Sequence, residues 1–199
     1  MEIIMDIIIA THNKNKVLEM EKALSSIIGE GKVLTAEQAG FLDDVEENGS
    51  TFEENALIKA RSVRTDGCIS IADDSGLCCN ALNGAPGIYS ARYAGEPCDN
   101  AKNNAKLLRN LEGFSDRSAY FVCAIACVLP DGTEFTVRGE AHGIILTELT
   151  GDGGFGYDPL FYVPELKKTF AELTREEKHE VSHRGNALRL LKEELSKRL

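Results

Sequence analysis

The chain has 199 residues, of which 43% are apolar, and carries a formal net charge of −10. That length and apolar content support a substantial core and predict a single domain over residues 1–199, while the acidic balance excludes a broad phosphate-binding surface for DNA or RNA. No run approaches the roughly 20 apolar residues of a membrane helix, and the opening MEIIMDIIIA carries Glu2 and Asp6 where a signal peptide would be basic, so no membrane partner is expected and a cytoplasmic location is predicted.

In chain order, residues 3 to 10 read as a buried strand. From about Lys14 the apolar positions Val17, Met20, Leu24 and Ile27 recur at helical spacing. Residues 40 to 50 form an acidic, turn-rich segment with Asp43, Asp44, Glu46 and Glu47. It leads into a helix at 51 to 65, where Thr51 and Glu54 have capping-box spacing and Phe52, Ala56, Ala60 and Val63 mark the inner face. Ile69 to Ala72 reads as a short strand running into Asp73 and Asp74, followed by a Ser-Gly turn. A helix is predicted between about Asp99 and Leu111 with Ala101, Ala105, Leu108 and Leu111 inward. Residues 118 to 129 are the strongest strand, and Pro130-Asp131-Gly132 turns the chain back into a second strand in which Phe135, Val137 and Ala141 alternate. A C-terminal helix carries Leu188, Leu191 and Leu195. Strand-helix units followed by a hairpin predict an α/β fold, a mixed sheet flanked by helices.

Six cysteines form no C-x-x-C pair and no zinc spacing with histidine, so reduced, packed thiols are expected, with Cys123 and Cys127 on one strand face.

Four stretches could carry chemistry. In IADDSGL, neighbouring strand side chains point to opposite faces, so Asp73 and Asp74 cannot share one core, and at least one should face solvent or a ligand. Carboxylates at a strand end can hold Mg²⁺, and equally an aspartate there can cap the next turn. In THNKNK, residues 11 to 16, a helix N-terminus beside Lys14 and Lys16 could take an anion such as phosphate, although polar capping by Thr11 or Asn13 explains the same residues. Neither G-x-x-x-x-G-K-[ST] nor G-x-G-x-x-G is present. TGDGGFGYDP, residues 150 to 159, sets Phe155 and Tyr157 on a glycine loop, which can offer a ring to a planar base or be a surface turn. In EEKHEVSHRGNAL, Lys178, His183 and Arg184 can contact phosphates or carbonyls, and His183 by itself reads as a partly exposed histidine.

Taken in order, THNKNK, EENGSTFEENA, IADDSGL, NGAPGIYSARYAG, GGFGYDPLF and FAELTREEKHEVSHRGNAL resemble the motif series of the inosine triphosphate pyrophosphatase family, also called the Ham1 or non-canonical purine nucleoside triphosphatase family, on the side of its bacterial dITP/XTP pyrophosphatases. The resemblance spans nearly the whole chain. It implies Mg²⁺-dependent hydrolysis of purine nucleoside triphosphates such as ITP, dITP and XTP to monophosphate and pyrophosphate. It further implies a homodimer and an elongated, curved mixed sheet with two lobes and a central cleft. By motif, Asp74 matches the general base and a magnesium-associated carboxylate, and Glu46 the second acidic position, with Glu47 adjacent. Thr11, His12, Asn13, Lys14, Asn15 and Lys16 match the triphosphate loop, and Ser75 follows the catalytic carboxylate. Phe155, Gly156, Tyr157 and Asp158 match the base-binding loop, and Lys178, His183 and Arg184 the remaining substrate contacts. His12 stands where the family often has glycine.

Overall fold

The computed structural model describes residues 5–11, 13–25, 30–43 and 45–199, without the side chains of Lys14 and Asn15. His12, Ile27, Asp44 and the beginning of the expected first strand lie outside the described residues. Among the described residues seven strands form one sheet in the order β2-β1-β3-β4-β5-β6-β7. They are β1 (Ile7–Ile9), β2 (Val33–Thr35), β3 (Ile69–Cys79), β4 (Ser118–Val128), β5 (Glu134–Ile145), β6 (Phe161–Val163) and β7 (Lys168–Thr169). The helices are α1 (Lys14–Leu24), α2 (Phe52–Ser62), α3 (Asn100–Asn110), α4 (Arg175–Val181) and α5 (His183–Arg198). β1 pairs in parallel with β2 and β3, whereas β6 pairs antiparallel with β5 and β7, so the sheet is mixed as its alternation of helices and hairpins predicts.

The chain divides into two compact units, one of residues 1–74, 123–139 and 187–199, the other of residues 75–122 and 140–186. In the first unit, β1 is buried on both faces, which explains its uninterrupted isoleucines. Ile7 and Ile9 join Ile69, Ile71, Cys123, Ile125 and Cys127 in a core with Met20 and Leu24 of α1 and Leu188, Leu191 and Leu195 of α5. Ile8 turns the other way and packs with Ala72, Ala126 and Val128 against Ala56 and Ala60 of α2. Period-two strands sandwiched between helices therefore sort their side chains by parity.

In the second unit the ends of β3 and β4 and the last part of β5 bury Leu77, Cys79, Phe121 and Ile145 with Leu107 and Leu111 of α3 and with Leu160, Phe161 and Phe170. The six cysteines are thiols rather than disulfides, and burial pushes those of Cys79 and Cys127 up to about 12, which keeps them protonated and unreactive.

Thr51 caps α2 by accepting from the Glu54 amide at 3.1 Å, but Glu54 returns its carboxylate to the Ser50 amide and hydroxyl, one residue earlier than a capping box requires. The inward face of α3 differs from expectation. Leu111 is buried as expected and Leu108 is half-buried, but Ala101 and Ala105 are exposed, and Asn103, Asn104 and Leu107 are buried in their place. Two asparagines can occupy a core face because their amides find backbone partners there.

Candidate functional site

The aspartates do not end a strand. β3 continues through Asp73, Asp74, Ser75 and Gly76 as far as Cys79, so the expected Ser-Gly turn is absent, and neither aspartate is solvent-facing, with exposures of 1% and 8%. Each is met by a lysine. Parity directs Asp73 to the face covered by α1, where Lys16 Nζ lies 2.9 Å from its Oδ2, with the Cys123 thiol at 3.9 Å. The same alternation directs Asp74 to the face covered by α2, where Asn55 Nδ2 donates to Oδ2 at 3.2 Å and Lys59 Nζ stands 3.7 Å from Oδ1. Lys59 also bonds Glu47 Oε1 at 3.2 Å. One ammonium thus spans two carboxylates. Burial raises the Asp74 carboxyl above the ordinary aspartate range, opposed by Lys59, reinforced by the Glu47 charge, and opposed further by Asn55 and Lys16.

Glu46 is exposed, whereas the half-buried Glu47 is tied to Asp74 through Lys59. Asp43 is likewise exposed. Among the described residues no group of three or more His, Cys, Asp or Glu side chains could by itself hold a metal ion. In the first loop Thr11 Oγ1 accepts from the Asn13 amide at 3.2 Å, and Asn13 Oδ1 accepts from the Lys16 amide at 3.4 Å, which is local capping of α1. Lys59 and Asn55 were missed by sequence reasoning. Glu47 lies 12 residues before Lys59, so only the fold of the loop against α2 brings them together.

The second unit assembles the glycine loop. Asp158, 2% exposed, folds it: its Oδ2 accepts from the Phe155 amide at 2.8 Å and from Lys178 Nζ at 2.5 Å. Gly154 has φ +71°, and a Cβ there would come within 2.1 Å of that same Oδ2. The Lys178 ammonium sits 4.9 Å from the Phe155 ring centroid and 5.4 Å from that of Phe170. Lys178 belongs to α4, a separate short helix opened by a Thr174/Glu177 capping box. Tyr157 is buried, its hydroxyl donating to the Ser90 carbonyl at 2.9 Å, so only its backbone can meet a ligand, while the Phe155 ring remains 36% exposed. His183 is also buried rather than partly exposed. Its ring stacks on Phe121 at 4.7 Å and 13°, and Arg184, 3% exposed, reaches Ser75 Oγ with Nη2 at 3.3 Å.

The first cluster is therefore a carboxylate pair balanced by ammonium groups, suited to anions, cations and proton transfer. The second is an aromatic platform beside a cation, suited to a polar ring system.

The sequence and the fold are both matched by known proteins. The Ham1 family model matches residues 7–194, and the chain belongs to the Ham1 family. It is 51% identical over 196 residues to a dITP/XTP pyrophosphatase of Desulforamulus reducens, covering 97% of this chain and 96% of that one. A dITP/XTP pyrophosphatase of Clostridium perfringens is 48% identical over 197 residues, covering 94% and 96% respectively. Among solved structures, the Staphylococcus aureus Ham1 protein superposes with a TM-score of 0.88 at 43% identity, over 98% of this chain and 100% of that one. A HAM1 protein from Coxiella burnetii gives 0.89 at 42% identity with the same coverage.

Proposed function

We propose that the chain hydrolyses non-canonical purine nucleoside triphosphates (ITP, dITP and XTP) to the nucleoside monophosphate and pyrophosphate. The observation that carries this reading is the Asp74 carboxylate, buried and shared through Lys59 with Glu47. It is held in a setting that raises its affinity for protons, as a general base requires. Asp74 would accept the proton of the water that attacks the α-phosphorus, with pyrophosphate leaving. Lys16 and Lys59 would supply positive charge toward the phosphates, and the amides at the start of α1 add donors.

The donor set suits Mg²⁺. A cationic ammonium already lies between Asp74 and Glu47, and two carboxylates completed by water are the ligands a small hard cation prefers. Asp74 with Glu47 or the neighbouring Glu46 would hold it, and when bound it neutralises phosphate charge. Of the two glutamates, Glu47 has the geometric support. No helix among the described residues is long and apolar enough to cross a membrane, and a cytoplasmic homodimer belongs to the same reading.

In the second unit, Phe155 would stack on the base, and donors of His183 or Arg184 would favour the O6 acceptor of hypoxanthine and xanthine over the amino group of adenine. An unpaired polar contact of that kind costs about 1–3 kcal/mol, roughly 10- to 150-fold in rate. Incubating the protein with ITP, XTP, GTP and ATP and Mg²⁺, and resolving the products by ion-exchange chromatography, tests this. Pyrophosphate with monophosphate, fastest from ITP and XTP, is expected. Orthophosphate release would instead define a phosphatase, and nucleotide binding without product would define a binding module.

A further inference from the structure

The NGAPGIYSARYAG stretch and helix α3 have no part in the chemistry above, yet they brace the glycine loop. Asn103 is fully used in the second unit: its Oδ1 accepts from the Ala94 amide at 2.7 Å and its Nδ2 donates to the Ala91 carbonyl at 2.9 Å. That fixes residues 91–94 against α3. The preceding Ser90, 7% exposed, presents its carbonyl to the Tyr157 hydroxyl and accepts the Leu77 amide on Oγ at 2.8 Å. One residue further along α3, Asn104 is 6% exposed and its Nδ2 donates to the Gly156 carbonyl at 3.0 Å.

Gly156 has φ +62°, and nothing lies within 4 Å of where its Cβ would be, so the peptide is open on that side. On its carbonyl side it is held by the Asn104 amide. Its orientation is set, because reversing the amide would face two oxygens. The other half of the amide, Oδ1, is buried with no hydrogen-bond partner among the described residues, a cost that a leucine at this position would not carry. The side chain is thus explained by its donor alone.

We propose that Asn104 is a positioning residue for base selection: by holding the Gly156 carbonyl it fixes the pose of Phe155, and with it the purine preference of the loop. This rests on the reading that residues 155–158 receive the base. Asp158 clamps the residue before Gly156 and Ser90 the ring after it, so Asn104 completes a hold on three successive residues.

The variant Asn104→Leu keeps the branched shape of the side chain and removes both the acceptor and the donor. Expected are a melting temperature within a few degrees of the parent, a KM for ITP raised about 3- to 10-fold, the scale of one lost hydrogen bond, a kcat altered less than 2-fold, and an ITP-to-ATP preference reduced by a similar factor. Unchanged KM and preference in the folded variant overturn the proposal, as does a loss of kcat and stability with the preference intact. If Asn104→Leu does not fold, Asn104→Ala is read by the same criteria. Hydrogen exchange of residues 154–158 without nucleotide reads the tether independently of turnover. Faster exchange in the variant is expected, and equal exchange refutes it. A parent protein that releases no pyrophosphate from any nucleotide would sink the functional reading and leave the exchange measurement to decide the tether.

Discussion

Replacing Asp158 by asparagine removes a charge and almost no volume. The aspartate is 2% exposed, and the Lys178 side chain that it pairs with is 14% exposed, so the variant leaves an ammonium with little water to replace its counter-ion. Breaking a buried pair from one side costs about 3–5 kcal/mol. Part of that is offset, because the ammonium keeps the Phe155 and Phe170 rings at 4.9 and 5.4 Å, contacts worth about 0.5–2 kcal/mol together with the acceptor that asparagine can still offer the Phe155 amide. A net loss of about 2–4 kcal/mol is expected, a large share of the 5–15 kcal/mol that stabilises an ordinary domain. Urea denaturation followed by circular dichroism measures it. Adding Lys178→Met should recover a large part of the loss, since the stranded charge is then gone. A loss below about 1 kcal/mol in Asp158→Asn, with no recovery in the double variant, would show that the pair is solvated and that the loop is not built on it.

Three further outcomes are expected. Gly154→Ala forces a left-handed alanine and drives its Cβ onto Asp158 Oδ2, so a loss of about 2–4 kcal/mol and a raised KM for ITP should appear together; a normal KM would separate the loop from base binding. Lys59→Met removes the ammonium between Asp74 and Glu47, and kcat for pyrophosphate release should fall at least about 10²-fold with the fold retained, as judged by circular dichroism; near-parental turnover would remove Lys59 from the site. Burial raises the Asp74 carboxyl in the folded state above its unfolded value, so the folded protein holds the proton more tightly, and stability is lost as pH rises through the range above about 3.9. In EDTA, Asp74→Asn should therefore melt higher than the parent at pH 7, with the gap closing toward pH 4; a gap independent of pH would contradict the sign.

Local rules carried much of the fold. The isoleucine run, the Thr51 cap, the strand pair turning at 129–133 and the leucines of α5 each follow from neighbours a few residues apart, and each is found in place. The failures share a cause. Ile69 to Ala72 looks finished at the aspartates because carboxylates end most buried strands, yet the extension to Cys79 depends on lysines delivered by α1 and α2. On α3 the alanines at helical spacing promised an inner face, but the asparagines one step round the helix find backbone partners and occupy it. In the site, Asp74, Asp158 and Lys178 were legible as motif residues. Lys59 was not, because a lysine in the middle of an amphipathic helix reads as solvated until its carboxylates are known to lie beneath it.

Asp73 and Asp74 are chemically the same side chain, and what distinguishes them is the odd or even count along β3. The count is held by the pairing of Ile7, Ile8 and Ile9 with Ile69, Ser70 and Ile71. A slip of one residue would exchange their lysines and move Ile69 and Ile71 from the core under α1 and α5 to the one under α2, so the hydrocarbon ladder upstream acts as the address label for the charged groups downstream.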